Sequence, residues 1–224
     1  MIDKRKTSYI EALKDVSDGS SILIGGFGVA GEPKYLIEAL INHGAASLTL
    51  ISNNAGAGDE GIAKLIKCGR VSKIICSFPR SSNSHAFQRA YESKSIQLEV
   101  IPQGTLAERI RAAGAGIGGF YVRTSVGTVL GQGKEIREIN GIEYVFEQPL
   151  SADFALVHAF KSDRWGNLQF NKTARNFGPI MAMAASVTIV EFEHFAKLGS
   201  ISPENIMTPG IFVDRIVQIE EGSR

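Results

Sequence analysis

Short apolar runs recur along the chain, and each one stops at turn-forming residues. Ile22-Leu23-Ile24 runs into Gly25-Gly26-Phe27-Gly28, and Leu48-Thr49-Leu50-Ile51 runs into Ser52-Asn53-Asn54-Ala55-Gly56. Lys73-Ile74-Ile75-Cys76-Ser77 ends at Phe78-Pro79-Arg80, and Leu98-Glu99-Val100-Ile101 ends at Pro102-Gln103-Gly104. Their length and β-branched content predict strands. The stretches between them repeat at helical spacing. Leu36, Ile37, Leu40 and Ile41 predict a helix over 33–43, with Pro33 in its first turn and Gly44 as its stop. Ile62, Leu65 and Ile66 place a second helix over Gly61–Lys67, and 106–113 reads as a third. Tyr9, Leu13 and Val16 are spaced as an amphipathic first helix. Alternation of this kind predicts an α/β fold, a mostly parallel open sheet flanked by helices. Loops after the strand C-termini of such a sheet gather along one edge. Residues 25–31, 53–56, 78–80 and 103–104 should therefore converge on one crevice.

The pattern changes in the second half. Residues 114–150 hold many glycines and short alternating stretches, and Asn140-Gly141 between two of these is a hairpin signal. Beyond them, 154–160 and 187–190 read as strands, 180–185 as a small-residue helix, and 211–217 as a C-terminal strand. No linker or internal repeat interrupts the chain. One domain over 1–224 is expected, with a β-rich hairpin insertion at about 114–150.

Composition narrows the partners. Lys+Arg 24 against Asp+Glu 23 leaves a net charge of +1, and basic residues are scattered. That offers no electrostatic footing for nucleic acid or an anionic membrane. No apolar stretch approaches the roughly 20 residues of a membrane span, and the charged start has no apolar core behind it, so no signal peptide is read. Cys68 and Cys76 sit among apolar or small residues and read as packed free thiols, which suits a reducing cytoplasm. His43, His85, His158 and His194 share no metal spacing, so no metal site is expected.

Gly26-Phe27-Gly28-Val29-Ala30-Gly31 fits G-x-G-x-x-G between a strand and a helix, the form of a dinucleotide fingerprint. Such a fingerprint needs an acidic residue at the end of the next strand to hold a ribose hydroxyl. That strand ends in Ser52-Asn53-Asn54, with no carboxylate before Asp59, which argues against an NAD-dependent oxidoreductase. The physical content of the loop remains. Glycines let backbone N–H groups approach an anionic or thioester ligand at a helix N-terminus.

The same stretch carries a second pattern. Asp18-Gly19-Ser20-Ser21-Ile22-Leu23-Ile24-Gly25-Gly26-Phe27-Gly28-Val29-Ala30-Gly31-Glu32-Pro33 resembles the N-terminal signature of the class I coenzyme A transferases in register. Ser52–Gly56, the block 102–111 (Pro102-Gln103-Gly104-Thr105 onward), Asp153-Phe154-Ala155-Leu156-Val157 and Ala174-Arg175-Asn176-Phe177 are similar to later family blocks. Together they look like the A-type half of the two-subunit enzymes. Cys76–Arg80, Asp163-Arg164-Trp165-Gly166-Asn167-Leu168 and residues 177–184 are most similar to members whose acceptor is 3-oxoadipate. One departure is Ser125, in Thr124-Ser125-Val126-Gly127-Thr128, where relatives tend to carry glycine.

The resemblance implies covalent catalysis with a coenzyme A thioester as substrate and no permanently bound cofactor. A glutamate attacks the thioester and becomes a glutamyl-CoA, which an acceptor carboxylate resolves. The family carries that glutamate on the B-type half, in a Ser-Glu-Asn-Gly-like segment that is absent here. Glu32, Glu60 and Glu108 are the nearest candidates, and each reads as surface charge. A B-type CoA-transferase partner, in a heterodimer or an A2B2 assembly, is therefore implied. Gln103 matches a family position whose amide holds the thioester oxyanion, and Asn53 one that orients nucleophile and carbonyl. Gly25, Gly26, Phe27, Gly28, Val29, Ala30 and Gly31 are expected to receive the CoA thioester. Arg80, after a strand in the same crevice, is expected to pair the far carboxylate of a dicarboxylic oxoacid. The expected reaction moves CoA from succinyl-CoA to a 3-oxoacid, with 3-oxoadipate ahead of acetoacetate or a short fatty acid. A non-catalytic ligand-binding protein is the rival, resting on the missing nucleophile.

Overall fold

The structure is a computed structural model that describes residues 2–80 and 83–220. After a short helix α1 (Tyr9–Leu13), the first half alternates β1 (Ser21–Ile24), α2 (Lys34–His43), β2 (Leu48–Asn54), α3 (Gly61–Lys67), β3 (Val71–Phe78), α4 (His85–Glu92), β4 (Gln97–Val100) and α5 (Gln103–Gly114). Gly44, at φ +95°, closes α2 by donating its N–H to the Leu40 carbonyl, as its position predicted. The first helix stops at Leu13, and Val16 packs beyond it from the following loop.

Three short strands follow, β5 (Phe120–Val122), β6 (Ile136–Ile139) and β7 (Ile142–Glu147), then the long β8 (Ala152–Asp163) and a stub, β9 (Leu168–Gln169). Helix α6 (Gly178–Met183), β10 (Ala185–Ala196) and β11 (Arg215–Gln218) complete the described fold. The larger sheet has the order β11-β10-β8-β1-β2-β3-β4, with parallel pairing along the path and β9 antiparallel to β8. The order reverses at β1, which lies between β2 and the much later β8. That reversal is where loops diverge and leave a crevice.

Both faces of this sheet are covered, and the strands show it residue by residue. Leu50 and Ile51 are 0% and 1% exposed, yet they belong to cores on opposite faces. Ile74 and Ile75 divide in the same way. One core collects α1 to α4, and the other collects α5 and α6 through Leu106, Ile110, Phe177 and Met181. Each fully buried aliphatic side chain contributes about 1.5–3 kcal/mol.

The β-rich portion is a separate three-stranded antiparallel sheet, β5-β7-β6. Asn140 (φ +54°) and Gly141 (φ +78°) form its hairpin turn with the paired positive φ that the dipeptide favours. Buried Glu147 pairs with Lys134 of the same portion at 2.6 Å and ties it to the body through Arg109 of α5 at 3.8 Å. Ser125 is fully buried and adopts no positive φ, so this backbone does not require glycine there.

Two expectations need correction, and one helix, α4, was not read from the sequence. Residues 211–214 are not strand: Gly210–Phe212 is a 3-10 turn and Ile211 is 81% exposed. The Gly210 N–H is drawn to Asn167 Oδ1, and pairing with β10 starts only at Arg215. Cys68 is exposed at the end of α3, whereas Cys76 is buried as expected. Helix α4 stands where the apolar pattern predicts none, and its Phe87 and Tyr91 stack at i, i+4 with ring centroids 5.7 Å apart. Among the described residues no helix is long and apolar enough to cross a membrane.

Candidate active site

The loops leaving β1, β2 and β3, with the start of α5, enclose a crevice of about 800 Å³. Phe27, Gly28 and Val29 line it from the first loop, Asn53 and Asn54 from the end of β2, Ser77 and Phe78 from the end of β3, and Gln103 from α5. The four predicted loops thus converge. Gly25, Gly26, Ala30 and Gly31 shape the first loop without lining the crevice, and Arg80 lies exposed two residues beyond Phe78.

Three amide and hydroxyl groups are locked together at its base. Asn53, 4% exposed, accepts at Oδ1 from Gln103 Nε2 at 2.6 Å and from Ser77 Oγ at 2.9 Å. Ser77 Oγ also lies 2.9 Å from the Asn53 main-chain oxygen. With both donors on Oδ1, the Asn53 Nδ2 group makes no hydrogen bond to the described chain. One N–H of Gln103 is likewise spare. Preset donors of this kind can stabilise negative charge developing on an oxygen without reorganising.

The glycine loop is held differently from the anion cradle its pattern suggests. Gly25 N–H donates to the Leu156 carbonyl, Gly26 N–H to Asn176 Oδ1, and Phe27 and Ala30 bond each other across a tight turn. Gly28 and Val29, at the turn tip, keep N–H groups with no hydrogen-bond partner among the described residues, and both residues line the crevice. The N-terminus of α2 is already occupied. Glu191 of β10, 1% exposed, accepts from the backbone N–H groups of Leu36 (2.8 Å) and Tyr35. A carboxylate of the chain itself fills the place of an external anion. His158 stands beside it, with Nδ1 3.1 Å from Glu191 and Nε2 3.2 Å from Glu193. Burial pulls the His158 imidazole down, but bonds and charge from the two carboxylates outweigh it and raise its pKa.

Glu32 is not the surface charge its sequence position suggested. It is half-buried and lines the crevice, and its Oε1 accepts from Ile62 N at 3.3 Å at the start of α3. Burial pushes its carboxyl up, against the pull of that N–H and of Lys34. Glu60 is exposed and pairs with Lys34 at 3.6 Å, and Glu108 pairs with Arg111 at 2.7 Å along α5. The sequence reading gave no role to Ser77, Glu191 or Asn176. Ser77 and Asn176 each lay within a family-like block, Cys76–Arg80 and Ala174-Arg175-Asn176-Phe177, whereas Glu191 carried no signal.

An open parallel sheet with preset amide donors around a crevice at its strand ends defines an α/β enzyme suited to acyl chemistry. The chain belongs to the coenzyme A transferase family, whose sequence model, described as Coenzyme A transferase, matches residues 6–219. It is 54% identical over 220 residues to the A-type half of 3-oxoadipate CoA-transferase from Acinetobacter baylyi, spanning 98% of this chain and 96% of that one. Identity to the corresponding half of the 3-oxoadipate CoA-transferase from Pseudomonas putida is 55% over 219 residues, 98% of this chain and 95% of that one. In fold it resembles an acyl-CoA transferase of Escherichia coli O157:H7, with a TM-score of 0.86 at 23% identity, over 97% of this chain and 47% of that longer one.

Proposed function

We propose that this chain is the A-type half of a two-subunit transferase that moves CoA from succinyl-CoA to 3-oxoadipate. It works as one unit over 1–224 in a reducing, cytoplasmic setting, and its nucleophilic glutamate is supplied by a B-type partner. The observation that carries this is the crevice's division of labour. Its amides are preset to donate, while its carboxylates are committed elsewhere: Glu32 to Ile62 N–H, Asp59 to Lys67 and Glu60 to Lys34. High identity to two named 3-oxoadipate enzymes supports the choice of acceptor.

In the reaction, the partner's glutamate carboxylate attacks the thioester carbonyl carbon and CoA leaves as the thiolate. The thiolate then attacks the glutamyl carbonyl of the anhydride, which releases succinate and leaves glutamyl-CoA. The acceptor carboxylate reverses the two steps and departs as its CoA thioester. Asn53 and Gln103 donate to the carbonyl oxygen as charge builds on it, and Ser77 holds Asn53 in place. Phe27, Gly28 and Val29 wall the thioester. Arg80 pairs the distal carboxylate from outside the crevice wall. The test is to assay the purified chain alone and mixed with a B-type partner, with 3-oxoadipate and acetoacetate as alternative acceptors. Turnover is expected only in the mixture and faster with 3-oxoadipate. Robust turnover by the chain alone would overturn the split site.

A further inference from the structure

Asn176 sits 150 positions from Gly26 of the glycine loop in sequence, yet its side chain closes that loop. Its Oδ1 accepts from Gly26 N at 3.2 Å and from Phe177 N at 2.6 Å. Its Nδ2 donates to the Ala30 carbonyl and the Thr173 carbonyl, at 2.8 and 2.9 Å. Two accepted and two donated bonds use the full capacity of a carboxamide. Gly26 and Ala30 flank the turn in which Phe27 and Ala30 exchange backbone bonds at 3.0 and 3.3 Å. The amide therefore bridges both ends of the turn whose tip, Gly28 and Val29, lines the crevice with N–H groups unpaired among the described residues. The contact is close as well as polar. A Cβ on Gly31 would meet the Ala174 carbonyl oxygen well inside contact distance, so the loop lies directly on the 172–175 segment that leads into Asn176.

We infer that Asn176 is a positioning residue for the thioester, acting by fixing the Phe27–Ala30 turn so that its tip meets the substrate in one shape. It touches no substrate itself. Gly28 and Val29 have no side-chain anchor of their own, and Val29 is 75% exposed. Without the clamp the turn keeps its own two backbone bonds but loses its fixed placement against the β2 and β3 loops. This inference rests on the reading that the crevice holds the CoA thioester, and the experiment separates the two.

Asn176→Ala and Asn176→Asp are prepared in the complex with the B-type partner. Asp keeps the oxygen that Gly26 and Phe177 donate to but faces the Ala30 and Thr173 carbonyls with a second acceptor. It preserves the start of α6 while opening the loop, which guards against a variant that merely fails to fold. Hydrogen–deuterium exchange of peptides spanning 25–33 is measured beside kinetics with the CoA thioester. Both variants should exchange faster in that segment while β8 and β10 peptides stay unchanged. KM for the thioester should rise about tenfold and kcat fall less than threefold, a split that general loss of stability does not produce. Unchanged exchange over 25–33 in both variants would overturn the clamp. Faster exchange with unchanged KM and kcat would overturn the positioning role by removing its premise, because the loop would then not hold the thioester.

Discussion

Gln103→Ala isolates the amide donors cleanly. Gln103 is exposed on α5, so truncation opens no core cavity. Two effects follow from its bond to Asn53 Oδ1 at 2.6 Å. On the proposed mechanism a direct donor to the oxyanion is lost, worth about 3 kcal/mol or a hundredfold in kcat. Asn53 is also loosened, but Ser77 Oγ still holds Oδ1 at 2.9 Å, so that second loss is partial. The expected fall is therefore about a hundredfold in kcat, with KM changed less than threefold. Because Gln103 holds Asn53, the double variant Gln103→Ala/Asn53→Ala should lose less than the product of the two singles, by a coupling of roughly 1–3 kcal/mol. The assay follows the ultraviolet absorbance of the 3-oxoacyl-CoA product with the reconstituted complex, alongside thermal unfolding of each variant. A kcat within threefold of wild type in a folded Gln103→Ala complex, or strict additivity in the double variant, would refute the shared donor pair.

Other expectations can be checked with the same complex. Arg80→Ala should lower kcat/KM for 3-oxoadipate by about threefold to fivefold, the scale of an exposed ion pair, and leave acetoacetate unchanged; equal losses would mean that Arg80 does not read the far carboxylate. His158 has a raised pKa, so the stability it contributes is fully present below about pH 6.5 and is lost as pH rises through the raised value. Urea midpoints measured from about pH 6 to 9 should fall more steeply for wild type than for His158→Gln, and parallel curves would contradict this. Cys76, its thiol pushed up to about 12 by burial, should resist labelling in the native protein while exposed Cys68 reacts. Mass spectrometry showing both thiols modified without denaturant would count against the described packing.

The parallel half of the fold was legible because its strands are buried on both faces and run apolar without interruption, as in Ile22-Leu23-Ile24. β8 and β10 were read too short at their C-terminal ends, where Lys161, Glu191 and Glu193 break the apolar run. Those breaks are themselves meaningful, since Glu191 caps α2 across the sheet. Contacts such as Glu191 to Leu36 join residues 155 apart, and Asn176 to Gly26 joins residues 150 apart, so no local pattern announces them. Glu32 misled for a related reason. Its neighbours Gly31 and Pro33 mark a turn, and a turn glutamate is ordinarily solvated, but packing against Gly61 draws it into the crevice. Asn53 and Gln103 were legible through the family blocks they belong to, while their mutual bond depended on the end of β2 and the start of α5 lying side by side.

The central claim is that this chain supplies donors and walls while its partner supplies the nucleophile. The most direct measurement is the intact mass of both chains after the complex is incubated with succinyl-CoA in the absence of acceptor and quenched. The account predicts a CoA adduct on the B-type partner, sensitive to hydroxylamine as a thioester must be, and an unmodified mass for this chain. An adduct on this chain, with peptide mapping placing it on Glu32 or another of its carboxylates, would contradict the account.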